Sequence, residues 1–212
     1  MSGHQRLNTL VRFYDRVAPI YGFWSALTES KAHSWALAAL REDPGRKILE
    51  VATGTGAELA KVTEIRKFER IVGVDISEGM LRQAQLRLKG VSGASLCRAD
   101  ARNLPFPKDC FDTLLTCYLL DLLGEPDIPS VLFEFRRVMH SRGRLVVLTM
   151  AAQSPVLQHL WMCGYRISPL LVGGCRPLDV RRFLIDAGWR IERQDQVHQL
   201  GFRSEGFVAR PI

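Results

Sequence analysis

Strands alternating with helices along the first 150 residues predict an α/β protein with a mostly parallel, doubly wound sheet and helices on both faces. Three features carry this reading. Apolar runs of strand length recur at "KILEVA", "RIVGVD" and "RLVVLTM", amphipathic stretches separate them, and the first run breaks into a glycine loop, "ATGTGAEL". Ligands of such sheets sit at the carboxyl ends of the strands.

Asn8 to Tyr21 carries apolar residues at near-helical spacing, and Pro19 is expected to disturb that helix. Thr28 is the expected N-cap of a second helix reaching about Arg41, which "EDPGR" ends. Then follow a strand at Lys47–Ala52, a helix from about Ala57, a strand at Arg70–Asp75, a helix at Ser77–Lys89 and a strand at Ala94–Ala99. The next elements are a strand at Thr113–Cys117, a helix at Pro129–Met139 and a strand at Arg144–Met150. Beyond Met150 the pattern changes to the apolar "SPVLQHLWMCGYRISPLLVGGC", then the amphipathic "LDVRRFLIDAG" and strands near Trp189–Val197 and Glu205–Arg210.

The length of 212 residues suits one such domain, and 47% hydrophobic with 24% charged residues excludes disordered and fibrous classes. The N-terminus is polar and charged where a signal peptide needs an apolar run, so a cytoplasmic location is expected. Five cysteines without a C-x-x-C pair suit reduced thiols, and no metal site is expected. A net charge of +7 favours anionic surroundings. The basic residues are dispersed, without a Lys/Arg block interleaved with aromatics, so no specific nucleic-acid partner is expected; surface contact with an anionic membrane fits the charge.

Three ligand classes compete for the glycine loop. A triphosphate loop needs lysine and a hydroxyl after its last glycine, but Ala57 and Glu58 follow Gly56. A dinucleotide fingerprint starting at Gly54 meets Leu59 at its third position, and the frame starting at Ala52 lacks its first glycine. Glu50, an acid near the end of an apolar strand, would repel a pyrophosphate but favours a ligand carrying an amino group and a sulfonium. Asp75 ends the next strand, placed to accept hydrogen bonds from ribose hydroxyls. Met80, one helical turn further, can cover one adenine face, and Asp100 can accept from the exocyclic amine.

In order, "ILEVATGTG", "GVDISEGML", "RADARNLPFPKDCFDTLLTC", "EFRRVMHSRGRLVV" and "SEGFVARP" resemble the motifs of the class I S-adenosylmethionine-dependent methyltransferases, well over residues 45–150 and loosely at both ends. The resemblance implies a seven-stranded, Rossmann-like sheet whose last strand runs antiparallel between two others. It implies S-adenosyl-L-methionine as cofactor, with Glu50, Ala52, Gly54 and Gly56 at the methionine end, Asp75 and Ile76 at the ribose, Met80 on the adenine face, Asp100 and Ala101 at the adenine edge, and Cys117 near the sulfonium. Ala52 stands where the family often has the first loop glycine. "FYDRVAPIYGFW" is similar to the N-terminal helix of the ubiquinone and menaquinone C-methyltransferases and of bacterial phospholipid N-methyltransferases. Gly22 replaces that segment's aspartate, leaving Tyr21 as the residue carried over, a lid group near the cofactor carboxylate. The chain then divides into a helical lid (1–44), a cofactor core (45–150), a substrate cap (151–177) and a C-terminal helix with strands (178–212).

Methyl transfer is an in-line displacement that depends on holding the groups collinear and excluding water, and a base is needed only if the acceptor has a proton to lose. Tyr118 and Asp121, just past the fourth strand, are the catalytic candidates, with Asp121 preferred; His159 and His198 lie in the variable part. Trp161, Met162, Tyr165, Leu170 and Leu171, with Trp24 and Trp35, are candidates for an apolar acceptor pocket or for simple packing. The expected acceptor is a small, largely apolar molecule, a quinone-precursor ring carbon ahead of a phospholipid amine, a thiol or another small molecule. A non-catalytic, cofactor-binding partner protein is the alternative outside enzymes. An RNA acceptor lacks support: "CYLLDLL" stands where an Asn/Asp-Pro-Pro-aromatic motif would be.

Overall fold

The computed structural model of the chain describes residues 3–91, 93–151, 155–168, 172–199 and 202–212, with side chains of 3–7 and 22–28 outside that description. Helices α1 (Gly3–Thr28) and α2 (Ser30–Glu42) lead into β1 (Lys47–Val51), α3 (Ala57–Ile65), β2 (Arg70–Asp75), α4 (Glu78–Arg87), β3 (Ala94–Arg98) and β4 (Phe111–Cys117). There follow α5 (Ile128–Val138), β5 (Met139–Met150), α6 (Pro155–Ile167), α7 (Val180–Asp186), β6 (Trp189–Gln199) and β7 (Phe202–Pro211).

The seven strands lie in the order β3-β2-β1-β4-β5-β7-β6. The first five run parallel, and β7 is antiparallel to both its neighbours. The order reverses beside β1, so the crevice of the switch point opens at the carboxyl ends of β1 and β4. Side chains alternate across the sheet. Leu49, Val51, Val72 and Val74 face the layer of α5 and α7, whereas Ile48, Ile71, Leu115 and Val146 pack against α2 and α3. Glu50, two residues from Ile48, shares the α2/α3 side at the open end of the strand. Edge strand β6 alternates charged and polar side chains, which discourages further pairing.

Three elements depart from the sequence expectation. Helix α1 runs through Pro19. Proline there removes the bond to the Asp15 carbonyl, and that turn docks on α4: a Cβ on Gly79 would stand 2.8 Å from Asp15 Cα and O. The joint between α1 and α2 is Glu29, so Thr28 closes the first helix rather than capping the second. Strand β5 starts at Met139, five residues before Arg144, and its register with β4 shifts between the Phe111–Met139 and Thr113–Arg144 pairs. Among the described residues, no helix is long and apolar enough to cross a membrane.

Candidate active site

The loop after β1 turns sharply, with Ala52, Gly54 and Gly56 all at positive φ (61°, 54° and 72°). It is pinned from three sides. The Thr53 amide donates to the Val74 carbonyl at 3.0 Å, the Gly54 amide to Asp75 Oδ2 at 2.8 Å, and Arg87 Nη1 to the Thr55 carbonyl and hydroxyl, both at 2.8 Å. No atom lies within 4 Å of where a Cβ on Gly54 would stand, so its backbone is open to a ligand. Gly56 has a different task. A Cβ there would meet Ala84 Cβ at 2.9 Å, so this glycine lets α3 close on α4, and it lies outside the cavity lining.

Glu50, 3% exposed, accepts from the Thr53 hydroxyl. Burial pushes its carboxyl up to about 8 against the opposing Thr53 bond, and Glu58 and Asp75 add to the rise. Asp75 uses Oδ2 for the Gly54 amide and Oδ1 for the Ser77 amide at 2.9 Å. Burial raises it too, partly offset by the Ser77, Gly54 and Ile76 amides. Asp100 is clasped by Arg102, whose Nη2 donates to Oδ2 at 2.7 Å and whose Nε donates to Oδ1 at 3.1 Å.

One cavity gathers nearly all the residues singled out by the sequence. Tyr21, Glu50, Ala52, Gly54, Asp75, Ile76, Met80, Asp100, Ala101, Cys117 and Tyr118 line it; Gly56 and Asp121 do not. Burial raises the Tyr21 phenol and the Cys117 thiol well above their usual values, so both are neutral at physiological pH. Tyr118, at φ 56°, shares a 2.7 Å hydrogen bond with the Ser204 hydroxyl. Asp121 is sealed below the cavity. Its Oδ2 accepts from the Met150 amide at 2.7 Å, its carbonyl accepts from the Arg176 amide at 3.3 Å, and burial raises its carboxyl to about 6.

Other candidates lie elsewhere. Trp35 donates to Asp195 Oδ2 at 2.8 Å and covers Gly206, where a Cβ would clash with its ring, so it fastens α2 to β6 and β7. Trp161 donates to the Cys175 carbonyl at 3.0 Å and leans on Phe202; with Met162 and Tyr165 it stays outside the lining. His159 and His198 are exposed and also outside it. The Trp24 side chain, Leu170 and Leu171 fall outside the described residues. Among the described residues no cluster of three or more His, Cys, Asp or Glu could hold a metal.

The structure adds residues that the sequence reading passed over. Tyr14 lines the cavity and donates to the Gly173 carbonyl at 2.7 Å. Asp15 accepts from the Ser77 hydroxyl at 2.7 Å and the Gly79 amide at 2.8 Å, tying α1 to the start of α4. Glu29, His33 and Glu58 also line the cavity. The i, i+4 spacing of Glu29 and His33 and the position of Glu58 right after the glycine loop were visible signals.

The chemistry of the lining fits the expected cofactor. Among the described residues its carboxylates are Glu29, Glu50, Glu58, Asp75 and Asp100, and no lysine or arginine lines it. Such a surface repels a pyrophosphate and favours a ligand with ammonium and sulfonium charges.

Comparison with known proteins agrees. A family model described as a methyltransferase domain matches residues 48–143. The ubiquinone/menaquinone biosynthesis C-methyltransferase UbiE of Syntrophotalea carbinolica is 32% identical over 168 residues, covering 76% of this chain and 70% of that protein. A 2-phytyl-1,4-naphtoquinone methyltransferase of Synechococcus elongatus is 32% identical over 156 residues, covering 68% of this chain and 65% of its own length. The chain thus spans about two thirds of these relatives. Among solved structures, a chain from the complex of the Haloferax volcanii Trm112 methyltransferase activator with its methyltransferase has a TM-score of 0.75 at 18% identity, covering 94% of this chain and 98% of that one. The DhpI-SAH complex has a TM-score of 0.73 at 17% identity, covering 99% and 98%; both share the fold. The chain belongs to the class I S-adenosylmethionine-dependent methyltransferases, in the group of the ubiquinone/menaquinone C-methyltransferases.

Proposed function

We propose that this protein methylates a ring carbon of a small, largely apolar, quinone-precursor-like acceptor. The observation that carries the reading is that one cavity is lined both by acids, Glu50 and Asp75 among them, and by apolar side chains, Leu10, Val11, Leu119, Leu122 and Leu123 with Tyr14 and Tyr21. The names of the relatives favour a quinone-related ring over other apolar acceptors.

The bound cofactor supplies an electrophilic methyl group on a positively charged sulfur. Glu50 holds the amino end, Asp75 and Ile76 the ribose, Met80 one adenine face, and Asp100 and Ala101 the adenine edge. Ala52 and Gly54 let the backbone approach, Gly56 sets the α3–α4 spacing beneath them, and Cys117 forms the floor. Tyr118 contacts the acceptor. Asp121 is a positioning residue, joining the acceptor loop to the Met150 amide and, through Arg176, to the segment returning from α6. Residues 1–44 act as the lid and 151–177 as the cap, and with Tyr21 they exclude water from an in-line transfer.

A lipid-borne acceptor calls for contact with an anionic membrane surface. Helix α6 supports this: it has no acidic residue, ends in Arg166 and Ile167, and exposes Val156 (72%), Leu160 (63%) and Ile167 (79%) at helical spacing. The test is methyl transfer from labelled S-adenosylmethionine to a demethylated quinone, phosphatidylethanolamine and a small thiol, each in anionic vesicles. Label in the quinone alone supports the reading. Label in the amine or thiol replaces the acceptor, and label in none of them with intact cofactor binding points to a non-catalytic partner protein.

A further inference from the structure

His33 lines the same cavity, and both of its ring nitrogens face carboxylates. Nε2 is 3.4 Å from Glu29 Oε2 and Nδ1 is 3.6 Å from Glu58 Oε1. A neutral imidazole has one N–H and one lone pair, so whichever nitrogen lacks the proton turns its lone pair toward a carboxylate; the imidazolium offers an N–H to each. The two acids belong to different layers. Glu29 is the joint between α1 and α2, the roof of the cavity, and Glu58 sits in the first turn of α3, directly after the glycine loop.

Within the described lining the other charged side chains are all acids. Glu58 Oε2 is buried without a hydrogen-bond partner, and Glu50 lies in the same lining. Lys61, half out in solvent, reaches Glu58 Oε1 at 2.9 Å. From β4 the neutral Tyr118 ring packs edge-on at 5.8 Å, and Cys117 beside it keeps its proton. His33 is therefore the one lining side chain, among those described, that can carry a positive charge.

We infer that His33 is a pH-dependent clasp of the cofactor site: as an imidazolium it ties the α1–α2 joint to α3, and its deprotonation loosens the roof and weakens cofactor binding. This is a positioning role that rests on the cofactor reading above. The clasp needs an N–H on each ring nitrogen, so its contribution is present where the imidazole is protonated and is lost where the ring is neutral. Glu50 acts oppositely, because its ionisation near 8 favours an ammonium, so the clasp is read from a ratio of variants rather than from one profile.

The experiment is calorimetric titration with S-adenosylhomocysteine from pH 6 to 8.5 on wild type, His33→Gln and His33→Lys. NMR of the His33 ring follows its protonation in the cofactor-free wild type, and thermal melts confirm that the variants fold. The Kd ratio of His33→Gln to wild type is expected near tenfold at pH 6, equivalent to about 1.4 kcal/mol. It should fall toward one with a midpoint matching the ring titration, and His33→Lys should restore tight binding without that fall. A ratio independent of pH, or a lysine variant as weak as the glutamine one, overturns the clasp and leaves the cofactor assignment standing. Absence of binding by wild type at every pH overturns both.

Discussion

The floor and the roof of the cavity are built by different physics. The floor is the switch point of the sheet, where strand register places Glu50 opposite Gly73 and Leu115, and neighbouring amides hold Asp75 from both sides. The roof consists of helices: α2 packs on the sheet through Ala36, Leu37 and Leu40, and polar contacts run from Asp15 to α4, from Tyr14 to Gly173 in the cap segment, and from His33 to Glu58. The floor stores unfavourable burial of acids that a cationic ligand relieves. The roof sets how readily that ligand is enclosed, so damage to the two regions should differ in kind.

The largest effect is expected at Asp75→Ala. It removes the proposed ribose acceptor and the partner of the Gly54 and Ser77 amides, and should weaken S-adenosylhomocysteine binding by about 100-fold or more in calorimetry. At the other floor acid, function and stability should separate. Glu50 has a folded pKa raised to about 8, so the cofactor-free protein loses stability as pH rises from the ordinary carboxylate range through 8. Glu50→Gln should therefore melt higher than wild type at pH 8, by about 1–2 kcal/mol, and about the same at pH 4. Equal melts at both pH values would place the Glu50 side chain in contact with water.

Roof changes should be smaller and lack this signature. Burial tends to raise the Asp15 carboxyl, but the Ser77 hydroxyl and Gly79 amide outweigh it and hold the group below the usual range. Its stabilisation is thus present at neutral pH and lost as pH falls through the carboxylate range. Asp15→Ala should cost about 1 kcal/mol at pH 7, as the loss of a helix cap does, and little at pH 3. Tyr14→Phe removes one bond to Gly173, and a rise of about threefold in the cofactor Kd with an unchanged fold is the expected result. A Tyr14 effect larger than that of Asp75 would reverse the comparison.

The same contrast governs what the sequence made legible. The floor is local: an apolar strand, a glycine loop and an acid at each strand end write themselves into short windows, and strands β1 to β4 with Glu50, Gly54, Asp75, Met80 and Asp100 follow from them, whereas Ile76, Ala101 and Cys117 rest on the family resemblance. The order of the sheet, with β7 between β5 and β6, came from family resemblance, because pairing between distant strands leaves no periodic trace. The roof was read less well. Pro19 suggested a break, since the contact between Asp15 and Gly79 that accommodates it is tertiary. The sequence leaves Trp35 open between pocket and packing, and only the fold, with its indole pressed on Gly206, decides for packing. Position after β4 makes Asp121 a candidate, and only the fold shows that it is buried and outside the cavity lining.

Glu50 is the residue proposed to recognise the amino-acid part of the cofactor. The most direct test titrates wild type and Glu50→Gln with S-adenosylhomocysteine and with 5′-methylthioadenosine, which has the nucleoside and sulfur without the amino acid. The account predicts that Glu50→Gln weakens S-adenosylhomocysteine at least tenfold at pH 8 and leaves 5′-methylthioadenosine unchanged, a differential of about 1.4 kcal/mol or more. Equal loss for both ligands, or none for either, would contradict it.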